Sequence, residues 1–262
     1  MPWLSVVTVV KDDLDGFARS LASLREQDVD GFEWVVIDGS SDSGAIPAVL
    51  AQEGAPSVVY RHDAPRGIYP AMNTALELAS GDVAYFLTAG DTLADPTVLA
   101  RVREYFGGTA VWGFGLVEIE EASGLVVVTP RWDYRSEKRA GFSRGLFPPH
   151  QGTFVRTSVL RGIGGFDASY RIAADYACAL RLSLLSDPVE LPFVIARFHE
   201  GGTSTLRWQE SFREFHRARR EILRPSGAAA LRETWESIRH FGLVYAHREV
   251  RPRLSWLARR SS

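Results

Sequence analysis

The sequence predicts an α/β protein with a mainly parallel central sheet and helices on its faces. Over the first ninety residues, apolar runs rich in β-branched residues alternate with stretches of helical periodicity. That alternation is typical of right-handed crossovers between parallel strands. The clearest run is V-A-Y-F-L-T-A-G-D, from Val83 to Asp91, whose five apolar or aromatic residues end in a small turn and one carboxylate. Such an unbroken run suits a strand covered on both faces.

The first 106 residues are expected to contain four strands and four helices. We place the strands at residues 4–10, 33–37, 58–60 and 83–87, and the helices after residue 13, up to residue 52, at 69–79 and at 95–106. Either Asp12 or Asp13 could cap the first helix. Gly81 is expected to stop the third helix in a left-handed conformation, and Pro96 to occupy the first position of the fourth.

The order of elements changes beyond residue 106. We expect strands at 110–114 and 152–155, a hairpin of 116–119 with 125–129, a helix at 174–185 and a strand at 194–198. Residues 131–147 show no periodicity and are predicted to form a loop. The tail from residue 206 has a helical pattern and is rich in arginine.

Composition excludes several classes of protein. The formal net charge of −2 gives no general electrostatic argument for binding nucleic acid. A single cysteine, Cys178, rules out an internal disulfide and fits a reducing compartment. The start of the chain lacks the pattern of a secretion signal, and no segment approaches the ~18 consecutive apolar residues of a membrane-spanning helix. We therefore expect a cytoplasmic protein.

Three aspartates follow three predicted strands, namely Asp12, Asp38 and Asp91. If the strands are parallel, these residues share the sheet edge where ligands of open α/β sheets bind. A nucleotide is a sensible ligand, yet the sequence has neither G-x-G-x-x-G nor G-K-[ST], which speaks against a dehydrogenase or a P-loop enzyme. A divalent cation on carboxylate oxygen would then neutralise the phosphates, and Asp91 is positioned for it. The alternative is that Asp91 only caps the helix after Asp95.

Several segments together carry a family resemblance. They are V-V-T-V-V-K-D-D, W-V-V-I-D-G-S-S-D, R-G-I-Y-P-A-M-N, Y-F-L-T-A-G-D, H-Q-G-T-F-V-R, G-G-F-D and A-A-D-Y. In this order the chain resembles family 2 glycosyltransferases of the GT-A fold, and is similar to the short bacterial members that build polysaccharides or glycolipids. The resemblance covers roughly residues 4–204. It implies a GT-A domain at 1–205, with a nucleotide-binding half at 1–106 and an acceptor half at 107–205, and a helical extension at 206–262.

The resemblance implies inverting transfer of a sugar from a nucleoside diphosphate to an acceptor hydroxyl. Asp175 matches the position of the catalytic base, Asp38 that of the residue that binds the nucleotide base, and Asp91 the last acid of the metal-binding D-x-D motif. His199 aligns with a segment that closes over the diphosphate and is a candidate metal ligand. The remaining implied positions are Thr8, Val10, Asp12, Arg66, Asn73, Ala89 and Gly90 on the donor side, and His150 and Gln151 on the acceptor side.

The sequence departs from the family pattern at Ala89, which replaces the first acid of D-x-D. A single carboxylate can still hold Mg²⁺ or Mn²⁺ when diphosphate oxygens and waters complete the shell. We therefore expect the cation to bind together with the donor. The donor is expected to be a UDP-sugar, with a GDP- or dTDP-sugar as the alternative.

Other interpretations stay open for several of these residues. Asp175 could cap its helix, His150 could serve a structural turn, and His199 could be a surface or packed histidine. The C-terminal arginines form either a solvated helix face or an amphipathic surface on a membrane, and residues 251–260 allow the same choice. Two functions compete with transfer: a silent nucleotide-sugar-binding or scaffold protein, and a sugar-phosphate nucleotidyltransferase. The oligomeric state is left open.

Overall fold

The computed structural model confirms the α/β fold class. It describes residues 1–53, 57–120, 124–129, 134–137, 140–199 and 207–246, without the side chains of Glu53, Arg135, Ser136 and His199. In this part of the chain the strands are β1 (Leu4–Val10), β2 (Phe32–Asp38), β3 (Val58–His62), β4 (Val83–Phe86), β5 (Thr92–Leu93), β6 (Trp112–Glu120), β7 (Val126–Thr129), β8 (Thr153–Arg156) and β9 (Val189–His199).

The described helices flank this sheet and extend beyond it. They are α1 (Leu14–Arg25), α2 (Ala45–Glu53), α3 (Ile68–Leu78), α4 (Val98–Tyr105), α5 (Tyr134–Glu137), α6 (Ala140–Ser143), α7 (Thr157–Gly162), α8 (Ala174–Leu185), α9 (Trp208–Leu223) and α10 (Gly227–Tyr245). None of the helices in the described residues is both long enough and apolar enough to cross a bilayer.

One sheet runs through both halves of the chain, in the order β3-β2-β1-β4-β8-β6-β9-β5, with β7 paired to β6. The strands β3, β2, β1 and β4 are parallel, as predicted. Beyond them the sheet is mixed, because β8 is antiparallel to both β4 and β6, while β9 is parallel to β6. The carboxyl ends of β1, β2 and β4 therefore meet at one edge, where the predicted aspartates follow.

Side chains of β1 alternate between two hydrophobic cores. Val7 and Val9 join the core beneath α3 and α8, whereas Val6 and Val10 join the core beneath α1 and α4. Every residue of β1 is buried, which explains why its sequence is almost wholly apolar. The sheet thus separates two layers of helices, and the functional edge lies between them.

Two of the predicted helix boundaries are wrong. Gly81 does not stop α3 in a left-handed conformation; α3 ends at Leu78, and Gly81 is instead packed so tightly that a Cβ would lie 2.6 Å from the carbonyl carbon of Leu4. Pro96 is not the first residue of α4, which begins at Val98. The Oδ1 atom of Asp95 accepts the amide of Thr97 at 2.8 Å, so this turn precedes the helix.

The second half contains more structure than predicted. Instead of one loop, residues 131–147 include α5 and α6, which bury Tyr134 and Phe142. Each has only four residues, which is too few to show a helical period. The two strands predicted between residues 110 and 119 are one strand, β6, whose pairing with β9 is irregular around Leu116.

The helical extension packs onto the domain through α9. The guanidinium of Arg219 is buried, and it donates to the hydroxyl of Tyr176 in α8 at 2.8 Å and to Ser237 in α10 at 2.6 Å. It also pairs with Glu233 of α10. One buried cation therefore joins three helices. The predicted amphipathic segment at 251–260 lies outside the described residues.

Candidate active site

A cleft with a volume of about 370 Å³ lies at the carboxyl edge of the parallel strands. That volume falls within the ~300–1,000 Å³ common for ligand pockets. Its walls are mainly apolar, and its basic residues are Lys11 and Arg66. The lining residues are Val9, Val10, Lys11, Asp13, Ile37, Gly39, Asp63, Ala64, Pro65, Arg66, Gly67, Ile68, Pro70, Ala71, Thr74, Thr88 and Ala89.

Two helix starts shape this cleft. The carboxylate of Asp13 caps α1 by accepting the amide of Gly16 at 2.9 Å, which settles the choice between Asp12 and Asp13. At the start of α3, Gly67 has φ of +116° and no side chain caps the helix. Arg66, at the rim, lies 3.3 Å from Asp63. The cleft therefore combines apolar walls with a rim of mixed charge, on which Asp13 and Asp63 accompany Lys11 and Arg66.

Three of the predicted donor-side residues line the cleft: Val10, Arg66 and Ala89. Thr8 does not line it, because its hydroxyl is buried, donates to the carbonyl of Leu87 at 2.7 Å and accepts the indole N–H of Trp34 at 2.9 Å. Asn73 is also outside the lining. Its amide group exchanges two hydrogen bonds with the backbone of Phe166, at 2.7 and 2.8 Å. Both side chains support the walls of the cleft.

Asp38 and Asp12 hold the turns at the cleft floor. Asp38 is fully buried, and its two oxygens accept the amide of Ser40 at 2.8 Å and the hydroxyl of Tyr60 at 2.9 Å. Asp12 adopts φ of +51° and accepts the amide of Ser41 at 2.7 Å. Neither carboxylate lines the cleft. Both instead hold the turn that follows β2, and Gly39 of that turn lines the cleft.

Asp91 is a buried acid just beyond β4. Its side chain is 9% exposed, and Oδ2 has no hydrogen-bond partner among the described residues. Burial raises the pKa of Asp91 to about 7. The pKa of Tyr85 lies well above its usual value. Burial is the main cause, and the charge of Asp91 near the tyrosine hydroxyl adds to it. The alternative that Asp91 caps the next helix is wrong, because α4 begins seven residues later.

Gly90 turns away from the main cleft. It has φ of +97°, a left-handed conformation that favours glycine, and its amide donates to the hydroxyl of Ser20 at 3.1 Å. It lines a neighbouring groove together with Arg19 and Arg197. The T-A-G-D turn is thus pinned to α1 through Ser20.

Asp175 lies in a second, much smaller cavity of about 20 Å³, together with His150, Phe86, Phe166 and Cys178. Burial raises the pKa of Asp175, and the nearby His150 partly opposes that effect. Burial likewise lowers the pKa of His150. The imidazole packs against the rings of Phe86 and Phe166, with centroids 5.5 and 5.6 Å apart.

Asp175 is the second residue of α8 rather than its N-cap, which is Ala173. Its Oδ1 accepts the amide of Tyr176 at 2.8 Å and lies 3.3 Å from the hydroxyl of Tyr69. The interpretation of Asp175 as a helix cap therefore holds only in that its carboxylate accepts one amide of the first turn. The carboxylate also faces a tyrosine and a histidine from two other elements.

The turn at 150–151 connects the surroundings of the two acids. Its histidine faces Asp175, while the backbone carbonyl of Gln151 accepts the hydroxyl of Tyr85 at 2.8 Å, on the side of Asp91. Helix α3 forms a second connection, since Ile68 and Ala71 line the cleft while Tyr69 reaches Asp175. The start of α3 therefore links the cleft to Asp175, and the 150–151 turn links the surroundings of the two acids.

The family model for glycosyl transferase family 2 matches residues 5–164, more than half of the chain. The chain belongs to this family. Among curated proteins, an uncharacterized glycosyltransferase of Mycobacterium tuberculosis is 33% identical over 215 residues, which cover 79% of this chain and 78% of the relative. A glycosyltransferase of PGL/p-HBAD biosynthesis from Mycobacterium bovis is 29% identical over 214 residues, covering 77% and 76%. This glycosyltransferase is therefore an enzyme of known family.

Solved structures with the GT-A fold confirm the architecture of this glycosyltransferase. S. aureus TarS 1-349 in complex with UDP-GlcNAc superposes with a TM-score of 0.67 at 16% identity, covering 94% of this chain and 73% of that one. The mannosyltransferase PcManGT from Pyrobaculum calidifontis, in complex with GDP-Man and Mn²⁺, gives 0.65 at 18% identity and covers 99% and 79%. The chain spans 45% of a longer TarS chain, with a TM-score of 0.63.

The metal ligands of this glycosyltransferase are sparse. Within the described residues, no three His, Cys, Asp or Glu side chains lie close enough together to hold a metal ion. Asp91 offers one unpaired, buried oxygen, and Ala89 offers none. The side chain of His199, the candidate second ligand, lies outside the described part. One carboxylate oxygen fits a cation that takes its other ligands from the donor.

Sequence reasoning missed two tyrosines of the site, Tyr69 and Tyr85. Tyr69 begins a predicted helix and Tyr85 lies within a predicted buried strand, so the sequence pattern marks neither as a site residue. Both rings are buried, but each hydroxyl makes a hydrogen bond, to the carbonyls of Ile172 and Gln151 respectively. A buried tyrosine usually finds such a partner. The tyrosines within R-G-I-Y-P-A-M-N and Y-F-L-T-A-G-D were therefore the sequence signal that could have identified these two site residues.

Proposed function

We propose that this enzyme is an inverting glycosyltransferase that moves a sugar from a nucleoside diphosphate to an acceptor hydroxyl. One observation carries the proposal. The cleft is lined by the start of α3, and the partly exposed carboxylate of Asp175 contacts Tyr69 of the same helix. A donor and a base could then meet at the helix start, as direct displacement requires.

The donor is proposed to be a UDP-sugar. The apolar walls suit a nucleoside, and Lys11 and Arg66 suit the charge of a diphosphate. Two proteins of similar fold bind UDP-GlcNAc and GDP-Man, so a GDP-sugar, like a dTDP-sugar, stays the alternative. Asp38 would act on the nucleotide base through the turn it holds, because Tyr60 and Ser40 already bond its oxygens.

Asp175 is proposed to be the general base. The acceptor hydroxyl must lose its proton as the new glycosidic bond forms, and the leaving diphosphate departs from the opposite face of the sugar. Because burial raises the pKa of Asp175, its carboxylate is a stronger base than an exposed aspartate. His150 and Tyr69 would orient the carboxylate through the contacts described above.

Asp91 is proposed to hold a divalent cation, Mn²⁺ or Mg²⁺, together with the donor. The bound cation would supply charge for the leaving diphosphate. In this proposal the carboxylate must be ionised, so the cation and Asp91 depend on each other. His199 stays a proposed second ligand.

The acceptor is proposed to enter from the half formed by residues 107–205, past His150 and Gln151. Relatives named for PGL/p-HBAD biosynthesis favour a glycolipid or another natural-product glycoside, alongside polysaccharide. The helical extension would contribute the outer part of this side.

A peripheral contact with an anionic membrane surface is proposed for α10. Leu231, Trp235 and Ile238 are 76%, 64% and 60% exposed and recur at helical spacing on one face. From residue 207 to the end the sequence carries 13 arginines and 6 glutamates, a charge of +7, which leaves −9 on residues 1–206. The exposed apolar stripe suits the interface of a bilayer, and the net positive charge of this part of the sequence suits anionic lipid.

Vesicle sedimentation tests this contact. The protein should sediment with vesicles containing anionic lipid, less so with zwitterionic vesicles or at high salt, and Trp235→Ser should weaken sedimentation. Glu210→Ala, on α9 away from the stripe, is the control. No sedimentation with anionic vesicles, or a stable dimer that covers the stripe, would contradict the membrane contact.

The direct test of function is donor turnover. Purified protein is assayed against UDP-, GDP- and dTDP-sugars, with and without Mn²⁺, for release of the nucleoside diphosphate. Asp175→Asn should lower transfer by about 10³-fold, since a positioned base contributes ~10²–10⁴-fold, and should leave donor binding unchanged. If the protein shows no turnover and no thermal shift with any of these donors, the proposal is wrong.

The competing function is that of a silent nucleotide-sugar-binding protein, which Ala89 and the single metal carboxylate favour. Such a protein would bind a donor yet show no activity for Asp175→Asn to remove. Release of pyrophosphate from a nucleoside triphosphate and a sugar phosphate would instead indicate nucleotidyl transfer.

A further inference from the structure

Glu214 of α9 binds the backbone directly in front of α8. Its Oε1 accepts the amide of Arg171 at 2.8 Å, and its Oε2 accepts the amides of Ile172 and Ala173 at 2.8 and 2.9 Å. These three amides lie within four residues of Asp175. A carboxylate that accepts several amides makes charge-assisted bonds, which are about twice as strong as neutral ones.

Helix α8 has no side-chain cap at its N-cap residue, so the segment in front of it depends on contacts with other elements. Its N-cap is Ala173, which has no oxygen to offer, and the first amides of a helix have no intrahelical acceptor. A negative charge near a helix N-terminus is also favourable. Glu214 does not accept the first amides of α8 itself; it binds the three residues that lead into the helix and places a negative charge in front of its N-terminus.

The segment is held from the opposite side by Tyr69 of α3. The hydroxyl of Tyr69 donates to the carbonyl of Ile172, whose amide binds Glu214. The same hydroxyl lies 3.3 Å from Oδ1 of Asp175. One residue, Ile172, is thus fixed at its amide by α9 and at its carbonyl by α3, and the second contact also touches Asp175.

Neighbouring contacts keep α9 in place. The guanidinium of Arg217 lies 4.0 Å from the ring centroid of Tyr170 and donates to the hydroxyl of Ser169 at 2.6 Å. The hydroxyl of Tyr170 in turn donates to Glu221 at 2.6 Å. Because α9 contacts residues 169–173 along successive turns, the carboxylate of Glu214 has a fixed direction.

We propose that Glu214 is a positioning residue that sets the place of Asp175 by fixing residues 171–173. The inference rests on the proposed role of Asp175 as the base. It makes the helical extension part of the catalytic machinery rather than an appendage. A shift of about 1 Å in a reacting group can lower a rate by ~10²-fold, so loss of this contact should lower turnover.

The test compares Glu214→Ala and Glu214→Gln with Glu210→Ala. Glu210 lies on the same helix but pairs only with Arg207 at 2.7 Å in the described contacts. In Glu214→Ala, kcat for transfer should fall about 10- to 100-fold while KM for the donor stays unchanged. Glu214→Gln keeps one acceptor oxygen and should retain an intermediate kcat. Glu210→Ala should behave as the wild type.

The outcomes separate the inference from the function on which it rests. If Asp175→Asn abolishes transfer while Glu214→Ala keeps wild-type kcat, the positioning role is wrong and the base is supported. If Asp175→Asn transfers normally, both are wrong. A loss in donor affinity equal to the loss in kcat would show general unfolding, which also overturns the inference. Circular dichroism and donor thermal shifts on Glu214→Gln confirm that the fold is kept.

Discussion

The donor cleft and the pocket of Asp175 are built in opposite ways. Most of the cleft comes from loops at the ends of β1, β2 and β4 and from the start of α3, and these residues lie within the first ninety of the chain. The pocket of Asp175 is lined by residues of β4, the 150–151 turn, the Phe166 loop and α8. Helix α9 contacts the segment in front of α8 through Glu214. The donor cleft has a volume of about 370 Å³, whereas the pocket of Asp175 has a volume of about 20 Å³.

This difference separates binding from chemistry. An open cleft with apolar walls can admit a ligand without rearranging the sheet. The smaller pocket leaves Asp175 only partly exposed, and burial is the main cause of the raised pKa of its carboxyl group. Substitutions in the cleft should therefore act on donor affinity, and substitutions in the pocket on the rate of transfer.

The largest expected effect that tests this separation is that of Asp91→Asn. Asparagine keeps the shape but cannot neutralise a cation, so metal-dependent donor binding should be lost and kcat/KM should fall by about 10³-fold, since a metal contributes several kcal/mol. Titration with donor and Mn²⁺ by calorimetry measures the binding. Asp175→Asn is the matched variant, which should bind normally. If both variants bind donor equally well, the separation does not hold.

The next effect is a pH dependence caused by Asp91. Its folded pKa of about 7 lies above the ~3.9 of an unfolded aspartate. The protonated acid is therefore favoured in the folded state, so stability is full below pH ~4, falls as the pH rises toward 7, and is constant above that. The loss is about 4 kcal/mol at most, at ~1.36 kcal/mol per pKa unit.

Urea unfolding from pH 4.5 to 8 measures this decline in the free energy of unfolding. Asp91→Asn has no charge to bury and should show a flatter curve, with its greatest advantage above pH 7. Donor binding in the presence of Mn²⁺ should strengthen over the same range, because only the ionised carboxylate holds a cation. Parallel stability curves for the two proteins would contradict the raised pKa.

The sequence predicts the cleft better than the pocket, and the reason is physical. Strands such as β1 are buried on both faces, so their composition alone identifies them, and the aspartates that follow share an edge by the rules of parallel sheets. The contact of Glu214 with Ile172 spans 42 residues and joins a side chain to backbone amides. No periodicity marks such a contact, because any residue supplies an amide.

Gly81 shows how a correct signal can receive a wrong explanation. The sequence indicates that a glycine is needed after α3, and a left-handed helix end was the expected reason. The actual reason is close approach, since a Cβ would lie 2.6 Å from the backbone of Leu4 and of Ser5. The amide of Gly81 also donates to the hydroxyl of Ser5 at 2.9 Å. Only the paired strands reveal this crowding.

Gly81→Ala should consequently destabilise the donor half. The added methyl meets strand backbone, which cannot move without disturbing the pairing of β1 and β4, so the free energy of unfolding should fall by about 1–3 kcal/mol. Gly108→Ala is the matched control, because nothing lies within 4 Å of its Cβ position. Its effect should stay within about 0.5 kcal/mol. Urea denaturation of both variants decides, and equal stabilities would refute the close-approach explanation.

The smallest expected effect, and the most selective, is that of His150→Phe. Phenylalanine keeps the ring packing against Phe86 and Phe166 but removes the nitrogens that face Asp175. The Nε2 atom of His150 is buried and has no hydrogen-bond partner among the described residues, so the ring acts on Asp175 electrostatically. We expect its loss to lower kcat roughly 5- to 10-fold, which corresponds to about 1 kcal/mol in the barrier.

Steady-state kinetics with a saturating acceptor measure the effect of His150→Phe, and donor KM should not change. A change confined to donor KM would assign His150 to the cleft and break the division between binding and chemistry. A change in acceptor KM alone would keep the division but make His150 an acceptor ligand, which agrees with its place on the turn shared with Gln151. A fall in kcat alone would place it with Tyr69 among the groups that orient Asp175.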